Sequence, residues 1–365
     1  MMELPRAVSP VPPVPAPQAA ERLAAAAAGH RRQRRRLLGW LVLGLTLGLL
    51  AGLVTGSAGF SMASLRSDLA GEQAWLILGE IRAPRTLGAA LVGALLGLGG
   101  ALAQGLFRNP LADPYLLGAA AGAGLAVVLV LAGATLGGLQ MSLTAALWLE
   151  QVGLMMAAFI GAIGGVTLTL LLARGALHTT RLLLSGVVLA VLLGALSDLV
   201  TVISPDALRG KQAFMLGSTS FLGWSSVALM AAGLTLLLGL ALRHSRALDA
   251  LTLGEDSAAS LGLELGRVRL VLVLLLSGAT AVAVSQAGLV AFVGLVAPHL
   301  VRRHAPGAHA WLLAASALMG AVLLLLADVI SRALIAPQEL PVGVVTAVLG
   351  GLYLCLLLNR RGRSA

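Results

Sequence analysis

Apolar runs of about 18 to 25 residues recur along this 365-residue chain, and they restrict its fold more than any other feature. A run of that length crosses a hydrocarbon layer about 30 Å thick as a helix and is too long for a membrane strand. In hydrocarbon every backbone N–H and C=O must find its partner inside the protein, which leaves only helices or a closed barrel. The runs lack the alternation of polar and apolar residues that barrel strands need, so the chain is expected to be all-α and polytopic. Charge agrees with this reading. Only 11% of residues are charged, against roughly 25% in soluble domains, and the mean hydropathy is +0.96.

Ten spans are expected: Leu37 to Gly59, Leu87 to Leu106, Tyr115 to Leu136, Trp148 to Ala173, Leu182 to Ile203, Leu222 to Leu242, Val268 to Val284, Ala287 to Val301, Trp311 to Ile330 and Pro341 to Leu358. The eighth is short and interrupted by Pro298. With both termini in the cytoplasm, nineteen of the twenty-five basic residues fall inside and six outside, the bias that orients membrane proteins. The +10 net charge therefore speaks of sidedness rather than nucleic acid. The run Arg31 to Arg36 precedes an apolar stretch too long for a signal peptide, so it reads as a basic flank held inside. Residues 1–36 form a proline- and alanine-rich, arginine-rich tail expected to be disordered. A transmembrane domain is expected over 37–358, with a cytoplasmic loop at 247–269, and a short cytoplasmic tail over 359–365. Gly93 and Gly97, Gly118 and Gly122, and Gly161 and Gly165 each place small residues on one helix face, a pattern suited to close helix packing.

Several chemistries are missing. The single lysine, Lys211, is followed by Gln212, so no phosphate-cradling P-loop exists, and neither HExxH nor GxSxG occurs. Cys355 is the only cysteine, which rules out a disulfide framework or a cysteine metal site. Ion-coupled transporters place ionisable groups deep in the bilayer. Here Asp198 and Asp328 are the deepest candidates, and the remaining charges lie near span ends.

The longest polar interruption, Ala247 to Arg269, reads as a short helix. Thr252 with Glu255 resembles a capping box, Glu255 and Asp256 suit a first turn, and Gly262 followed by Leu263 resembles a Schellman stop. Ala258, Ala259 and Gly262 form a small flank that permits close approach. The segment is either a solvated connector or a docking element for another protein. Elsewhere Asn109–Pro110 and Asp113–Pro114 look like caps followed by a first-turn proline, and Ser204–Pro205 opens a short helix ending near Gly217.

Four stretches carry a family resemblance: RAPRTLGAALVGALLGLGGALAQGLFRNPLADPYLLGAAAGA, TTRLLLSGVVLA, LGEDSAASLGLELGRVR, and the segment from GLVAFVGLVAPHLVRRH to LPVGVVTAVLG. From about Ile81 to Leu358 the chain resembles the permease subunits of binding-protein-dependent ABC importers for iron-siderophore complexes, haem and cobalamin. The resemblance implies a cobalamin-permease-like fold of ten spans working as a homodimer or related heterodimer in a bacterial inner membrane. It implies two cytoplasmic ATPases that use ATP, an extracytoplasmic substrate-binding protein and surrounding lipid as partners, no nucleic acid, and no cofactor, metal or catalytic residue on this chain. ATPase coupling would fall to Gly254, Glu255, Ala258, Ala259, Leu261, Gly262 and Leu263. Binding-protein docking would fall to Arg82, Arg85 and Arg332, for which snorkelling to lipid phosphate is the plainer alternative. Thr179 and Thr180 match a cytoplasmic gate, although they would equally cap span five. His299 matches a family position and is expected to be packed rather than a metal ligand. A ferric siderophore is the first expected cargo, with haem or cobalamin as the alternative and an ion-coupled transporter as the rival of another class.

Overall fold

The computed structural model describes residues 16–56, 74–136 and 152–361. The expected ends of spans one and four at 57–59 and 148–151, Arg66, and the outermost tails at 1–15 and 362–365 lie outside the described residues. Thirteen α-helices occur among the described residues: α1 Ala16–Val54, α2 Ala83–Leu106, α3 Ala119–Leu136, α4 Leu154–Leu172, α5 Thr179–Ile203, α6 Pro205–Leu216, α7 Trp224–Arg243, α8 Ser245–Thr252, α9 Glu255–Ser260, α10 Leu265–Ala287, α11 Val293–His304, α12 His309–Ala333 and α13 Val342–Arg361. A π-helical turn, Leu76–Arg82, runs directly into α2. Ten of these helices correspond to the ten expected spans, and α6, α8 and α9 are the short connectors.

Two of the expectations change. Residues 16–36 belong to the same helix as the first span, because the alanines at 24–28 have the highest helix propensity of any residue and extend it. At about 1.5 Å per residue, α1 is about 58 Å long, nearly twice the hydrocarbon thickness, so much of its first half projects beyond the bilayer. The eighth span is displaced: α11 starts at Val293, after Phe292 with φ of 68°, and its twelve residues reach only about 18 Å. Segment 288–292 lies outside regular helix, with positive φ at Gly288 and Phe292. Its polar backbone is satisfied within the protein: Leu289 N–H donates to the Phe214 carbonyl at 2.9 Å, and the Tyr115 hydroxyl donates to the Val290 carbonyl at 3.0 Å.

Helix α2 is the central pillar. In its most apolar stretch 89% of residues are buried, against 28% in α5 and 17% in α7, so those two line the periphery. Around α2 pack α12, α10, α11 and α7, while α3 packs against α4 and α5. The glycine pairs explain the closest approaches. A Cβ on Gly93 or Gly97 would overlap the carbonyl oxygens of Gly320 or Ser316 on α12, and one on Gly122 or Gly161 would overlap the carbonyl of the other. Backbone therefore rests on backbone at both crossings, as small residues allow.

Candidate functional site

Helix α9 contains only six residues, too few for stability alone, and its neighbours hold it in place. Gly254 is its N-cap at φ 107° and ψ 159°, a conformation open to glycine and strained for other residues. The expected capping box does not form. Thr252 instead donates its hydroxyl to the Asp249 carbonyl at 2.6 Å, and Glu255 is drawn away by two guanidinium groups. The C-terminal stop forms as expected: Gly262, at φ 83°, donates to the Ala259 carbonyl at 2.9 Å, and Leu263 donates to that of Ala258 at 3.3 Å.

The guanidinium of Arg269 is the anchor. Its side chain is 3% exposed, and a buried cation demands a counter-ion. Glu255 Oε1 lies 2.5 Å from its Nη2, and the same carboxylate oxygen lies 3.4 Å from Arg108 Nη2. Arg269 also donates through Nη1 to the Leu177 carbonyl, just ahead of α5. Beside α9, Asp249 of α8 accepts the backbone N–H of His309 at 2.9 Å and sits 2.7 Å from its Nδ1.

Three sequence-distant stretches thus converge on one charge cluster: the RNPLADP loop through Arg108, the loop before Thr179 and Thr180 through Leu177, and the start of α9 through Glu255. Within RNPLADP, Asp113 caps a short 3₁₀ turn at Pro114–Leu117 by accepting the Tyr115 N–H at 2.8 Å. Burial pushes its carboxyl above the ordinary value, and that hydrogen bond draws it partly back. Asn109 accepts the Leu111 N–H at 2.9 Å, so it makes a turn where a helix cap was expected.

The small flank divides. Ala258 is fully buried against the core, whereas Ala259 faces outward with Leu261 at 65% exposure and Leu253 at 67%. Only one of the two alanines is therefore available to another protein. Gly262 is exposed, while Gly254, Glu255 and Leu263 are half-buried. Thr179 is half-buried and Thr180 exposed on the first turn of α5, where His178 is the N-cap and no side-chain cap forms.

Arg82, Arg85 and Arg332 also have partners within the chain. All three are buried, at 8%, 9% and 2% exposure, and they point into the protein. Arg332 Nη2 lies 2.6 Å from Asp328 Oδ2 and its Nη1 donates to the Gly52 and Thr55 carbonyls. Arg85 Nε lies 3.3 Å from Asp328 Oδ1 and its Nη1 lies 2.9 Å from Glu339 Oε2. Thr219 adds a hydroxyl to Asp328 Oδ1 at 2.5 Å, and Arg82 donates to the Leu53 carbonyl at 3.1 Å. Within the chain these residues join α1, α2, α12 and the turn before α7. The partners of Arg85, Asp328 and Glu339, lie at least 243 residues along the chain from it.

Asp198 and Asp328 separate as well. Asp198 is 75% exposed and pairs with Lys211, while Asp328 is wholly buried and neutralised by two arginines. His299 packs edge-on against Tyr353, with ring centroids 5.9 Å apart. Among the described residues no group of three His, Cys, Asp or Glu side chains is placed to hold a metal. Sequence reasoning missed Arg269 as an anchor, although a cation one residue inside an expected span was the signal.

Comparison with known proteins decides the family. The pattern of the FecCD transport family matches residues 41–360. The chain belongs to that family. It is 39% identical over 338 residues to the hemin transport system permease protein HmuU of Yersinia pestis, covering 91% of this chain and 97% of the relative. It is 40% identical over 333 residues to the vitamin B12 import system permease protein BtuC of Shigella boydii, covering 91% and 98%. A metal-chelate type ABC transporter solved in an inward-facing conformation superposes with a TM-score of 0.75 at 27% identity, over 89% of this chain and 99% of that one. As a FecCD-family protein the chain is a multi-pass ABC-importer permease of the inner membrane, and ATP hydrolysis belongs to a separate subunit.

Proposed function

We propose that this FecCD-family permease carries an iron complex inward, powered by two ATPases that grip it at α9. The observation that carries the reading is the clamp of Glu255 between Arg269 and Arg108. It makes a six-residue helix rigid enough to transmit force and ties it to the loop that leads into Thr179 and Thr180. A solvated connector needs no such anchoring. In this reading Ala259, Leu253 and Leu261 enter a groove of the ATPase, Thr179 and Thr180 border the inner opening, and both termini lie in the cytoplasm. A second permease subunit completes a path between the two copies, and an extracytoplasmic binding protein delivers cargo at the opposite end. In this reading Arg82, Arg85 and Arg332 are the residues that meet the binding protein, in addition to the internal pairs they make.

Ferric siderophore is the first cargo, on the resemblance of the motifs; haem and cobalamin are the second reading, supported by the two relatives, a hemin permease and a vitamin B12 permease. Competition among radiolabelled ferric siderophore, haem and cobalamin for uptake into vesicles holding the assembled transporter tests this. ATP-dependent uptake of the ferric siderophore that excess haem or cobalamin does not suppress is the expected result. Uptake of haem or cobalamin without the siderophore would move the chain to the second reading, and uptake driven by a proton gradient without ATP would overturn both.

A further inference from the structure

We propose that the basic start of α1 and the turn between α11 and α12 form a binding site for the headgroup of an anionic phospholipid. Arg31, Arg32, Arg35 and Arg36 are exposed on the helix, and among the described residues no carboxylate pairs with any of them. Such a concentration of unpaired cations on one helical segment raises α1's own electrostatic cost unless anions lie nearby. The family pattern itself begins at residue 41, past the cluster.

Their depth and position are fixed. Arg34, between the two exposed pairs, turns inward and donates to the Pro306 carbonyl at 3.2 and 3.3 Å, with its guanidinium carbon 5.9 Å from the centre of the Trp311 ring. Below it Leu37 and Leu41 pack with Val301 and Leu312, so α1 is held against α11 and α12. Arg303, exposed on the last turn of α11, adds a cation to the same turn region. Trp40 is 69% exposed one turn beyond Arg36, an aromatic at the level where such rings meet headgroups. By helical rise the arginines then lie about 6 to 14 Å further out, at and above the phosphate layer. A lipid supplies the phosphate at that depth and the tail alongside the apolar face that continues below, which a free phosphate ion does not.

The test uses the full chain in detergent, with native mass spectrometry after adding cardiolipin, phosphatidylglycerol or phosphatidylcholine. The wild type should retain the two anionic lipids in preference to phosphatidylcholine and release them as salt is raised, since surface charge is screened by ions. Millimolar inorganic phosphate should not displace them. With each arginine near an anionic surface worth roughly a factor of five, the R31Q/R32Q/R35Q/R36Q variant should lose about a hundredfold or more in that preference. Equal retention of anionic and zwitterionic lipid by the wild type would overturn the proposal, whether or not the variant can be purified. Displacement by inorganic phosphate would assign the cluster to a soluble anion, and an unaltered preference in the variant would place the lipid elsewhere; either result also overturns it.

Discussion

Asp328 has no exposure to solvent and carries the charge balance of one end of the bundle, because Arg85 and Arg332 are both buried beside it. Removing a single member of a buried ion pair leaves an uncompensated charge and costs about 3 to 5 kcal/mol. Asp328→Ala should therefore lower stability by about 3 kcal/mol or more, read as an earlier unfolding transition in detergent. Asp198→Ala, at an exposed pair, should cost about 1 kcal/mol or less. Equal effects at the two positions would mean that Arg85 is satisfied by Glu339 alone. At this scale the sequence was partly legible. That Arg82, Arg85 and Arg332 are unusual was visible from their place in the apolar pattern. Their partners were not, since nothing in a linear sequence announces a contact between Arg85 and a carboxylate on a helix made much later.

For α9 the two alanines now separate fold from function. Ala258→Glu forces a charge into the core against a fully buried methyl, so the chain should lose stability by several kcal/mol at least as an order of magnitude. Ala259→Glu points outward and should leave the unfolding transition in place while reducing co-purification with the ATPase. A third variant examines the clamp. Glu255→Ala leaves Arg269 without its carboxylate and should loosen α9, so ATP turnover by the complex persists while its coupling to uptake falls. Full coupling in Glu255→Ala would return α9 to the role of a connector. The stop at Gly262 and Leu263 could be read from sequence because a Schellman turn is local. The start could not, because the competition for Glu255 between Thr252's cap and the guanidinium of Arg269 is decided by burial. Much the same holds for the glycine pairs: their spacing announced close contact, and their partners, Gly320 for Gly93 and Gly161 for Gly122, came only with the fold.

Across the whole molecule, ten helices answer to ten apolar runs, and the departures sit where the chain leaves regular helix, at 288–292, or extends it, at 16–36. Purified alone, the chain should hydrolyse no ATP, because no phosphate loop exists in its sequence. Turnover should arise when the partner ATPase is added and vanish when that subunit's own nucleotide site is disabled. Turnover by the chain alone would contradict the division of labour. The pairing of Arg85 with Asp328 also bears on how the protein is made. The ribosome completes α2 long before it reaches Asp328, 243 residues downstream of Arg85, so for most of synthesis the central pillar stands in the membrane with Arg85 lacking its carboxylates and its glycine face against no backbone. A nascent chain released before α12 therefore carries the features that quality-control proteases act on. A chain ending at residue 306 should be cleared within minutes in a pulse-chase measurement, and coexpression of residues 307–365 as a separate fragment should prolong its life.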